Sequence, residues 1–412
     1  MKDYGMVIVG AGEAGARAAA ELRARGWTGA VTLIGDERHA PYERPPLSKQ
    51  ALSEDGEPAP VTILDRPKLE ELGIRLLSGD AAARIDRASH EVHLAGGARV
   101  PYERLLLATG ANPRKLSLPG NASNEMLYLR KFEDALAIRG RLAAGKRAVV
   151  IGGGFIGLET AASARAKGCE VTLIEAAPRI LMRGVPEPIA AMVEELHRRN
   201  GVSFKTGTGI ESVNREGGEY VVSLADGSRV RCDVIVTGIG AVPETSLAAE
   251  CGLEIENGVK ADEYLATSDP DIFAAGDCCS FPHPLYEGKR IRLEAWRNAQ
   301  DQGTHAAGNM LGDRAPYGAV PWFWSDQYDR TLQVSGLADP SNTTVLRDLG
   351  DAGKLYFHLD GEGRLVSASG MGTPGGIAKD IRLAEMLIEK RAHPSPESLA
   401  DAGFRLKELL KA

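Results

Sequence analysis

The sequence predicts an α/β protein with two Rossmann-like domains and a smaller C-terminal α+β domain. The first observation is an apolar run at 7–15, VIVGAGEAG, that breaks into glycines spaced G-x-G-x-x-G. The second is a repeat of this pattern at 147–175. The third is a change beyond residue 320 to short alternating strands followed by a helix near 377–391. We therefore expect two related domains and a third of different architecture.

The composition is that of an ordinary globular protein and disfavours several functional classes. The chain has 412 residues, 43% of them hydrophobic, and a net charge of -7 at neutral pH. This acidic balance disfavours a nucleic-acid surface, which needs an excess of basic residues. No apolar stretch reaches the roughly 18 residues that a membrane helix needs, and the first strand lacks the layout of a signal peptide. We expect a cytoplasmic protein without a membrane partner.

The cysteines predict reduced thiols rather than disulfides or a metal site. Their number is odd and none has C-x-x-C spacing. They are Cys169, Cys232, Cys251, Cys278 and Cys279. No cysteine occurs before Cys169, so the N-terminal glycine-motif region is not expected to supply a thiol that works against a bound flavin. The adjacent Cys278 and Cys279 leave a redox-active pair as the alternative.

Each glycine of the first copy has a physical role. Gly10 permits the tight turn, Gly12 lets the backbone approach a pyrophosphate, and Gly15 lets the following helix pack on the strand. The helix N-terminus then presents free N–H groups to the phosphates. Asp36 follows the second strand and can accept a hydrogen bond from a ribose 2′-hydroxyl, with Glu37 as its competitor. This copy is predicted to bind a dinucleotide.

The second copy carries the same signals and adds a preference between nicotinamide cofactors. Its glycines are Gly152, Gly154 and Gly157. Glu175 ends the second strand, where a carboxylate accepts hydrogen bonds from a free 2′-hydroxyl and repels a 2′-phosphate. NADH is therefore favoured over NADPH. Arg179 and Arg183 leave the alternative that an arginine pairs with that phosphate.

Two further stretches carry candidate ligand contacts. The prolines of YERPPLSK, at 42–49, stiffen a loop that presents Arg44 and Lys49, whose alternative is a solvated basic pair on a surface turn. In FAAGDC, Asp277 follows a buried strand at the edge where open α/β sheets bind ligands, although it could be only a helix cap.

The apolar run at 232–240 is expected to lead the chain back to the first domain.

With YERPPLSK, GGGFIGLE, FAAGDC and PWFWSDQY in this order, the chain resembles the FAD-dependent, NADH-linked ferredoxin reductases of bacterial oxygenase systems, which are glutathione-reductase-like flavoproteins. The resemblance runs from residue 6 to about residue 391. It implies an FAD-binding domain at 1–112 and 245–319, an NAD-binding domain at 113–244 and an interface domain at 320–412. It also implies a [2Fe-2S] ferredoxin as the partner, which would supply a Rieske dioxygenase or a P450.

The resemblance adds cofactor contacts to those expected from the glycine motifs. For FAD the combined set is Gly10, Gly12, Ala14, Gly15, Asp36, Arg44, Lys49, Ala82, Arg130, Asp277 and Trp296. For NADH it is Gly152, Gly154, Phe155, Ile156, Glu159, Glu175, Arg183 and Gly238. Trp322 and Trp324 are expected near the flavin face or the partner surface.

Lys49 and Glu159 are the two residues to which the resemblance assigns a part in the chemistry. Lys49 would favour the negative charge that develops on the flavin, and Glu159 would pair with Lys49. The alternative for Glu159 is an ordinary surface carboxylate on a helix.

Two other functions remain open at this stage. One keeps the flavin chemistry but passes electrons to rubredoxin, to a quinone-like molecule or to monodehydroascorbate. The other is a flavin-binding redox sensor. The loop before Lys49 carries prolines where disulfide-using relatives carry paired cysteines, so electrons are expected to leave by contact at the surface.

Overall fold

The structure is a computed structural model that describes residues 4–182 and 184–411. Its chain divides into two compact units. Unit 1 contains residues 4–43, 60–112 and 242–321, and unit 2 contains residues 44–59, 113–241 and 322–411. Two short strands, Ala111–Pro113 and Ala241–Pro243, lie where the chain passes from one unit to the other.

A mainly parallel sheet forms the centre of unit 1. Strand Gly5–Val9 lies between Val31–Gly35 and Arg99–Leu107 and pairs in parallel with both. Arg75–Ser78 extends the sheet beyond Val31–Gly35, and Ile272–Ala274 pairs with the end of Arg99–Leu107. All residues of Gly5–Val9 are buried. The first apolar run of the sequence is therefore the core strand of this unit, as predicted.

The remaining elements of unit 1 surround this sheet. Ala82–Asp86 and Glu91–Leu94 continue it as antiparallel strands on the first half of Arg99–Leu107. A separate small sheet contains Val259–Lys260, Cys279–His283 and Lys289–Ile291. The helices are Glu13–Ala24, Arg66–Glu71, Ser246–Glu250 and Trp296–Met310, with one-turn 3-10 helices at Gly276–Cys278 and Pro284–Tyr286.

Unit 2 repeats the strand–helix–strand arrangement. Its parallel sheet has the order Val202–Thr206, Glu170–Glu175, Arg147–Ile151, Val234–Thr237 and Leu127–Tyr128. The run at 232–240 precedes the return of the chain to unit 1, as expected, and it also contributes a strand to this sheet. Its strand, Val234–Thr237, is buried throughout and pairs in parallel with Arg147–Ile151. The chain re-enters unit 1 only after that strand, at residue 242.

The other elements of this part of unit 2 are short or lie beside the sheet. An antiparallel sheet contains Ile210–Glu216, Glu219–Leu224 and Arg229–Cys232. The helices are Gln50–Ser53, Phe132–Arg139, Phe155–Ala166 and Glu187–Arg199, with 3-10 helices at Pro45–Ser48 and Ser123–Glu125.

The C-terminal part of unit 2 is a five-stranded antiparallel sheet with helices. The strand order is Trp322–Gln327, Arg330–Gly336, Leu365–Gly372, Gly353–Leu359 and Thr343–Asp348. The helices are Ala378–Glu389 and Pro396–Ala400, with 3-10 helices at Gly350–Ala352 and Leu406–Leu410. Alternating strands beyond residue 320 and the long helix were predicted. Trp322–Gln327 was not, because three consecutive aromatic residues followed by polar ones do not alternate.

The state of the cysteines and the lengths of the helices can be compared with the expectations from the sequence. All five cysteines lie in the described residues and are free thiols. Burial raises the pKa of both Cys278 and Cys279, so neither forms the reactive thiolate readily, and a redox-active pair is disfavoured. Among residues 4–182 and 184–411, no helix is both long and apolar enough to cross a bilayer.

Candidate functional site

In the glycine turn of unit 1, some glycines are required by packing within the protein, and one is not. A Cβ on Gly10, which has φ +114°, would lie 2.1 Å from the Ala108 carbonyl oxygen, and a Cβ on Gly15 would lie 1.9 Å from that of Gly10. Both positions need glycine for the turn itself. Around a Cβ on Gly12, no heavy atom of the described residues beyond its two chain neighbours lies within 4 Å. Packing therefore does not require glycine at position 12.

The space at Gly12 lies where a helix begins. Helix Glu13–Ala24 has Gly12 as its N-cap, and no side chain in the described part of the chain caps it. Its first N–H groups have no partners within the helix, and the helix dipole adds positive potential at this end. An open approach beside such N–H groups fits the pyrophosphate of a dinucleotide.

The other unit 1 residues implied for FAD follow strands of this unit or begin its elements. Asp36 is exposed directly after Val31–Gly35. The Glu37 carboxylate accepts a hydrogen bond from the Tyr42 hydroxyl at 2.5 Å and is only half-buried. Ala14 is buried in the helix that follows the turn, and Ala82 begins a strand.

Asp277 and Trp296 lie in the later segment of unit 1. Asp277 comes just after strand Ile272–Ala274 in a one-turn helix, and its carbonyl accepts a hydrogen bond from Arg292 at 3.0 Å. Trp296 is the first residue of helix Trp296–Met310.

Arg44, Lys49 and Arg130, also implied for FAD, lie in unit 2. The structure brings two of them together, because the Arg44 guanidinium donates a hydrogen bond to the Arg130 carbonyl at 2.6 Å.

The glycine turn of unit 2 shows the same division of roles. A Cβ on Gly152 would lie 2.4 Å from the Gly238 carbonyl oxygen, and one on Gly157 would lie 2.0 Å from that of Gly152. Around a Cβ on Gly154, the nearest described atom is the Gly238 oxygen at 3.9 Å. Gly154 therefore offers the open approach, and Gly238 lies against the turn. These residues fit a second dinucleotide.

The acidic residue of the second copy is fixed at this turn. The Glu175 carboxylate accepts hydrogen bonds from the backbone N–H groups of Gly153 and Ala177, both at 2.7 Å. Arg179 donates instead to the carbonyls of Ile180 and Val185, at 3.1 and 3.2 Å. This disfavours Arg179 as a phosphate ligand. Arg183, the other predicted arginine, lies outside the described residues.

Two apolar side chains follow Gly154. The Phe155 ring packs edge-on against Phe323 with centroids 5.0 Å apart. Ile156 is 45% exposed, which is high for an isoleucine, at the first turn of helix Phe155–Ala166. An exposed apolar side chain at this position provides contact area for a ligand held at the turn.

Lys49 and Glu159 form an ion pair in unit 2 in which the carboxylate is buried and the ammonium side chain is partly exposed. Glu159 lies one turn into helix Phe155–Ala166 and is only 5% exposed. Its carboxylate lies 3.1 Å from Lys49 Nζ. It also accepts hydrogen bonds from the hydroxyls of Ser48 and Ser325, the latter at 2.6 Å. Neither a surface carboxylate for Glu159 nor a solvated turn for Lys49 describes this cluster.

The loop that carries Lys49 is stiffened by its prolines and tied to a neighbouring helix. Pro45 and Pro46 begin the 3-10 helix Pro45–Ser48, where their fixed φ angles stiffen the chain. The Ser48 carbonyl accepts a hydrogen bond from the Ser163 hydroxyl at 2.7 Å, which ties the loop to the helix that carries Glu159. The prolines stiffen the loop locally, and the tertiary contact between Ser163 and Ser48 holds Lys49 near Glu159.

Three polar residues behind Glu159 were not expected from the sequence. Ser325 accepts a hydrogen bond from the Gln327 amide nitrogen at 2.9 Å, and the Gln327 amide oxygen lies 2.6 Å from His197 Nε2. All three are buried, and burial lowers the pKa of His197 to about 4. The motif PWFWSDQY contained the signal, since its serine and glutamine are two residues apart and share one strand face.

The two tryptophans of the same strand stack on each other. The rings of Trp322 and Trp324 are 5.3 Å apart with an angle of 23° between their planes. Lys49 Nζ lies 5.8 Å from the Trp324 ring centroid, at the outer limit of a cation–π contact. Both tryptophans are partly exposed, so the strand presents aromatic surface beside the Lys49–Glu159 pair.

Comparison with known families gives two consecutive matches. The family described as pyridine nucleotide-disulphide oxidoreductase matches residues 4–303. The family described as reductase C-terminal matches residues 322–410.

Individual relatives match over nearly the whole chain. The ferredoxin–NAD(+) reductase component of the anthranilate 1,2-dioxygenase system of Burkholderia cepacia is 40% identical over 98% of both chains. Putidaredoxin reductase of Pseudomonas putida is 37% identical over 99% of this chain and 97% of its own.

Solved structures of such proteins have the same fold. A ferredoxin reductase from Rhodopseudomonas palustris superposes with a TM-score of 0.92, at 37% identity and 99% coverage of each chain. A chain of the covalent putidaredoxin reductase–putidaredoxin complex also gives 0.92, at 35% identity, covering 100% of this chain and 99% of that one.

The glycine turn of unit 1 allows stability to be separated from binding. We expect Gly12→Ala to leave the thermal unfolding of the ligand-free protein unchanged but to weaken FAD binding at least tenfold, because the added methyl group occupies the open approach. Gly15→Ala should lower the free energy of unfolding by about 2 kcal/mol, because its Cβ meets a backbone oxygen. Calorimetry and flavin-fluorescence titration measure the two effects, and equal stability losses in both variants would contradict this division.

Proposed function

The chain belongs to the pyridine nucleotide-disulphide oxidoreductase family, and from this membership we propose that it is an NADH-dependent reductase of a [2Fe-2S] ferredoxin. The observation that carries the proposal is the match along 98% of both chains to a ferredoxin–NAD(+) reductase component. The reduced ferredoxin would supply an oxygenase, either a Rieske dioxygenase or a P450. FAD and NAD(H) are the cofactors of this enzyme.

We assign the two cofactors to the two glycine turns. FAD would be held by residues 1–112 and 245–319, with its pyrophosphate at Gly12 and its ribose at Asp36. NADH would be held by residues 113–244, with its pyrophosphate at Gly154 and a ribose at Glu175. Residues 320–412 would then form the interface domain. The open approaches at Gly12 and Gly154 support this assignment.

The chemistry assigned to the protein is positioning and electrostatics. When bound, FAD would supply the redox chemistry that links a two-electron hydride donor, NADH, to a one-electron acceptor. Lys49 supplies a positive charge where negative charge develops. Glu159 orients the Lys49 ammonium and moderates its charge through the contact at 3.1 Å. The protein provides no nucleophile in this scheme, and the raised pKa values of its buried thiols agree with that.

The preference for NADH follows from the carboxylate at the second turn. Glu175 is held by two backbone N–H groups, so its negative charge stays close to Gly154. A 2′-phosphate brought there would meet a fixed like charge, whereas a 2′-hydroxyl would find an acceptor. We propose that the reaction takes place in the cytoplasm, where the five free thiols stay reduced.

The nature of the electron acceptor is tested first. With the FAD-loaded protein, NADH and cytochrome c, we expect the reduction of cytochrome c to rise in proportion to added [2Fe-2S] ferredoxin and to be slow without it. Equal rates with rubredoxin, a quinone or monodehydroascorbate in place of ferredoxin would favour a different acceptor. Slow turnover with every acceptor and a long-lived reduced complex would favour a redox sensor.

Removing the charge of Lys49 tests its role. Lys49→Met should slow the reduction of FAD by NADH at least tenfold in anaerobic stopped-flow experiments, because developing negative charge loses its partner. Lys68→Met is the matched control, since Lys68 is exposed and pairs only with Glu71 among the described residues that it contacts. An unaltered rate in Lys49→Met would remove the role assigned to Lys49.

Removing the charge of Glu175 tests cofactor preference. Glu175→Ala should lower the ratio of kcat/KM for NADH to that for NADPH roughly tenfold, because the 2′-hydroxyl loses an acceptor and the 2′-phosphate loses a repelling charge. Glu170→Ala, an exposed change at the other end of the same strand, should leave the ratio unchanged. A constant ratio in Glu175→Ala would contradict the assignment.

A further inference from the structure

A line of hydrogen bonds leads from the Glu159 carboxylate through the interior of unit 2. It passes through Ser325, Gln327 and His197, with distances of 2.6, 2.9 and 2.6 Å, and reaches the Tyr328 hydroxyl, which lies 3.3 Å from His197 Nδ1. The three inner residues are buried, and Tyr328 is 37% exposed. Strand Trp322–Gln327 and helix Glu187–Arg199 supply the inner residues.

The donors in this line can be assigned from the number of protons available. An ionised Glu159 paired with Lys49 only accepts, so Ser325 must give it its single hydroxyl proton. Ser325 then accepts from the Gln327 amide nitrogen, which turns the Gln327 oxygen toward His197.

The number of available protons also fixes the donors at His197 and Tyr328. His197 is neutral at pH 7, because burial lowers its pKa to about 4, so it has one N–H. That N–H lies on Nε2 and donates to Gln327, and Nδ1 accepts from the Tyr328 hydroxyl. Burial raises the pKa of Tyr328, which keeps this hydroxyl protonated. Every donor in the line therefore points toward Glu159.

Hydrogen bonds aligned in one sense polarise one another, and a buried carboxylate benefits from each donor. The Glu159 carboxylate pairs with the Lys49 ammonium and accepts a hydrogen bond from Ser48, both on one loop. It also accepts a hydrogen bond from Ser325, on a strand far away in sequence. With donors from both directions, the carboxylate cannot turn without breaking a contact. The position of the Lys49 ammonium is fixed with it.

We infer that Ser325, Gln327 and His197 are positioning residues for the reaction with NADH, acting on Lys49 through Glu159. This inference rests on the proposed function, because it takes Lys49 and Glu159 as the pair that acts at the cofactors. The line does not conduct protons, since the Gln327 amide interrupts it. The strand that carries Trp322 and Trp324 therefore also supplies hydrogen bonds that hold the Lys49–Glu159 pair in position.

Ser325→Ala removes the donor nearest to Glu159. We expect the rate of FAD reduction by NADH to fall roughly tenfold, while reduced enzyme passes electrons to ferredoxin within twofold of the normal rate. The midpoint potential of bound FAD at pH 8 should become more negative, because more of the negative charge of the carboxylate then acts on Lys49. Glu159→Gln should shift this potential in the opposite direction.

The coupling between these residues is tested by a double-mutant cycle. If Ser325 acts through Glu159, adding Ser325→Ala to Glu159→Gln changes neither the potential nor the rate further. Ser325→Thr keeps a hydroxyl and should restore both. Ser369→Ala is the matched control, since Ser369 is a buried serine of the same sheet whose hydroxyl has no hydrogen-bond partner among the described residues. Gln327→Met replaces Ser325→Ala if that variant fails to fold.

A normal potential and rate in folded Ser325→Ala, or the same shifts in Ser369→Ala, would overturn the inference. So would an undiminished effect of Ser325→Ala in the Glu159→Gln background. Neither the potential nor the reduction by NADH requires an acceptor protein. A wrong assignment of ferredoxin would therefore leave these results intact, and the two failures can be told apart.

Discussion

The buried carboxylate of Glu159 is the constraint on which unit 2 depends most. An ionised group with 5% exposure is stable only where donors replace water. Its donors come from the loop at 44–49 and the strand at 322–327, and it lies itself on the helix at 155–166. Each of these elements lies in a different one of the three sequence segments that make up unit 2. The charge therefore ties distant parts of the chain together at the place where the chemistry is proposed.

The two glycine turns show how one local rule serves both units. In each turn the first and third glycines are required by backbone oxygens about 2 Å from an added Cβ, whereas the second faces open space. The fold alone accounts for the outer glycines, and a ligand accounts for the middle one. Because this division appears in both units, the observation supports two dinucleotides rather than one, in agreement with the family to which the chain belongs.

Most of the fold could be predicted because its signals are local. The strands at 5–9 and 147–151 follow from apolar runs, and the turns after them follow from glycine spacing. The run at 232–240 was expected to return the chain to the first domain, but the pairing of its strand with Arg147–Ile151 was not predicted, because an apolar strand does not show which sheet it joins. Strand Trp322–Gln327 was not predicted as a strand, because its three consecutive aromatic residues do not alternate with polar ones, although its motif carried the family resemblance. The domain limits and the roles of the site residues stay predictions.

By itself, the sequence determined the two glycine turns, the acidic residues that follow them and the family resemblance, because each depends on residues close together in the chain. It also named Lys49 and Glu159 as a pair. Only the tertiary structure decided that the carboxylate of this pair is buried and which groups complete the pair. Ser48, Ser325, Gln327 and His197 meet only after three separate segments fold together, and no spacing in the sequence encodes hydrogen bonds between residues more than a hundred positions apart.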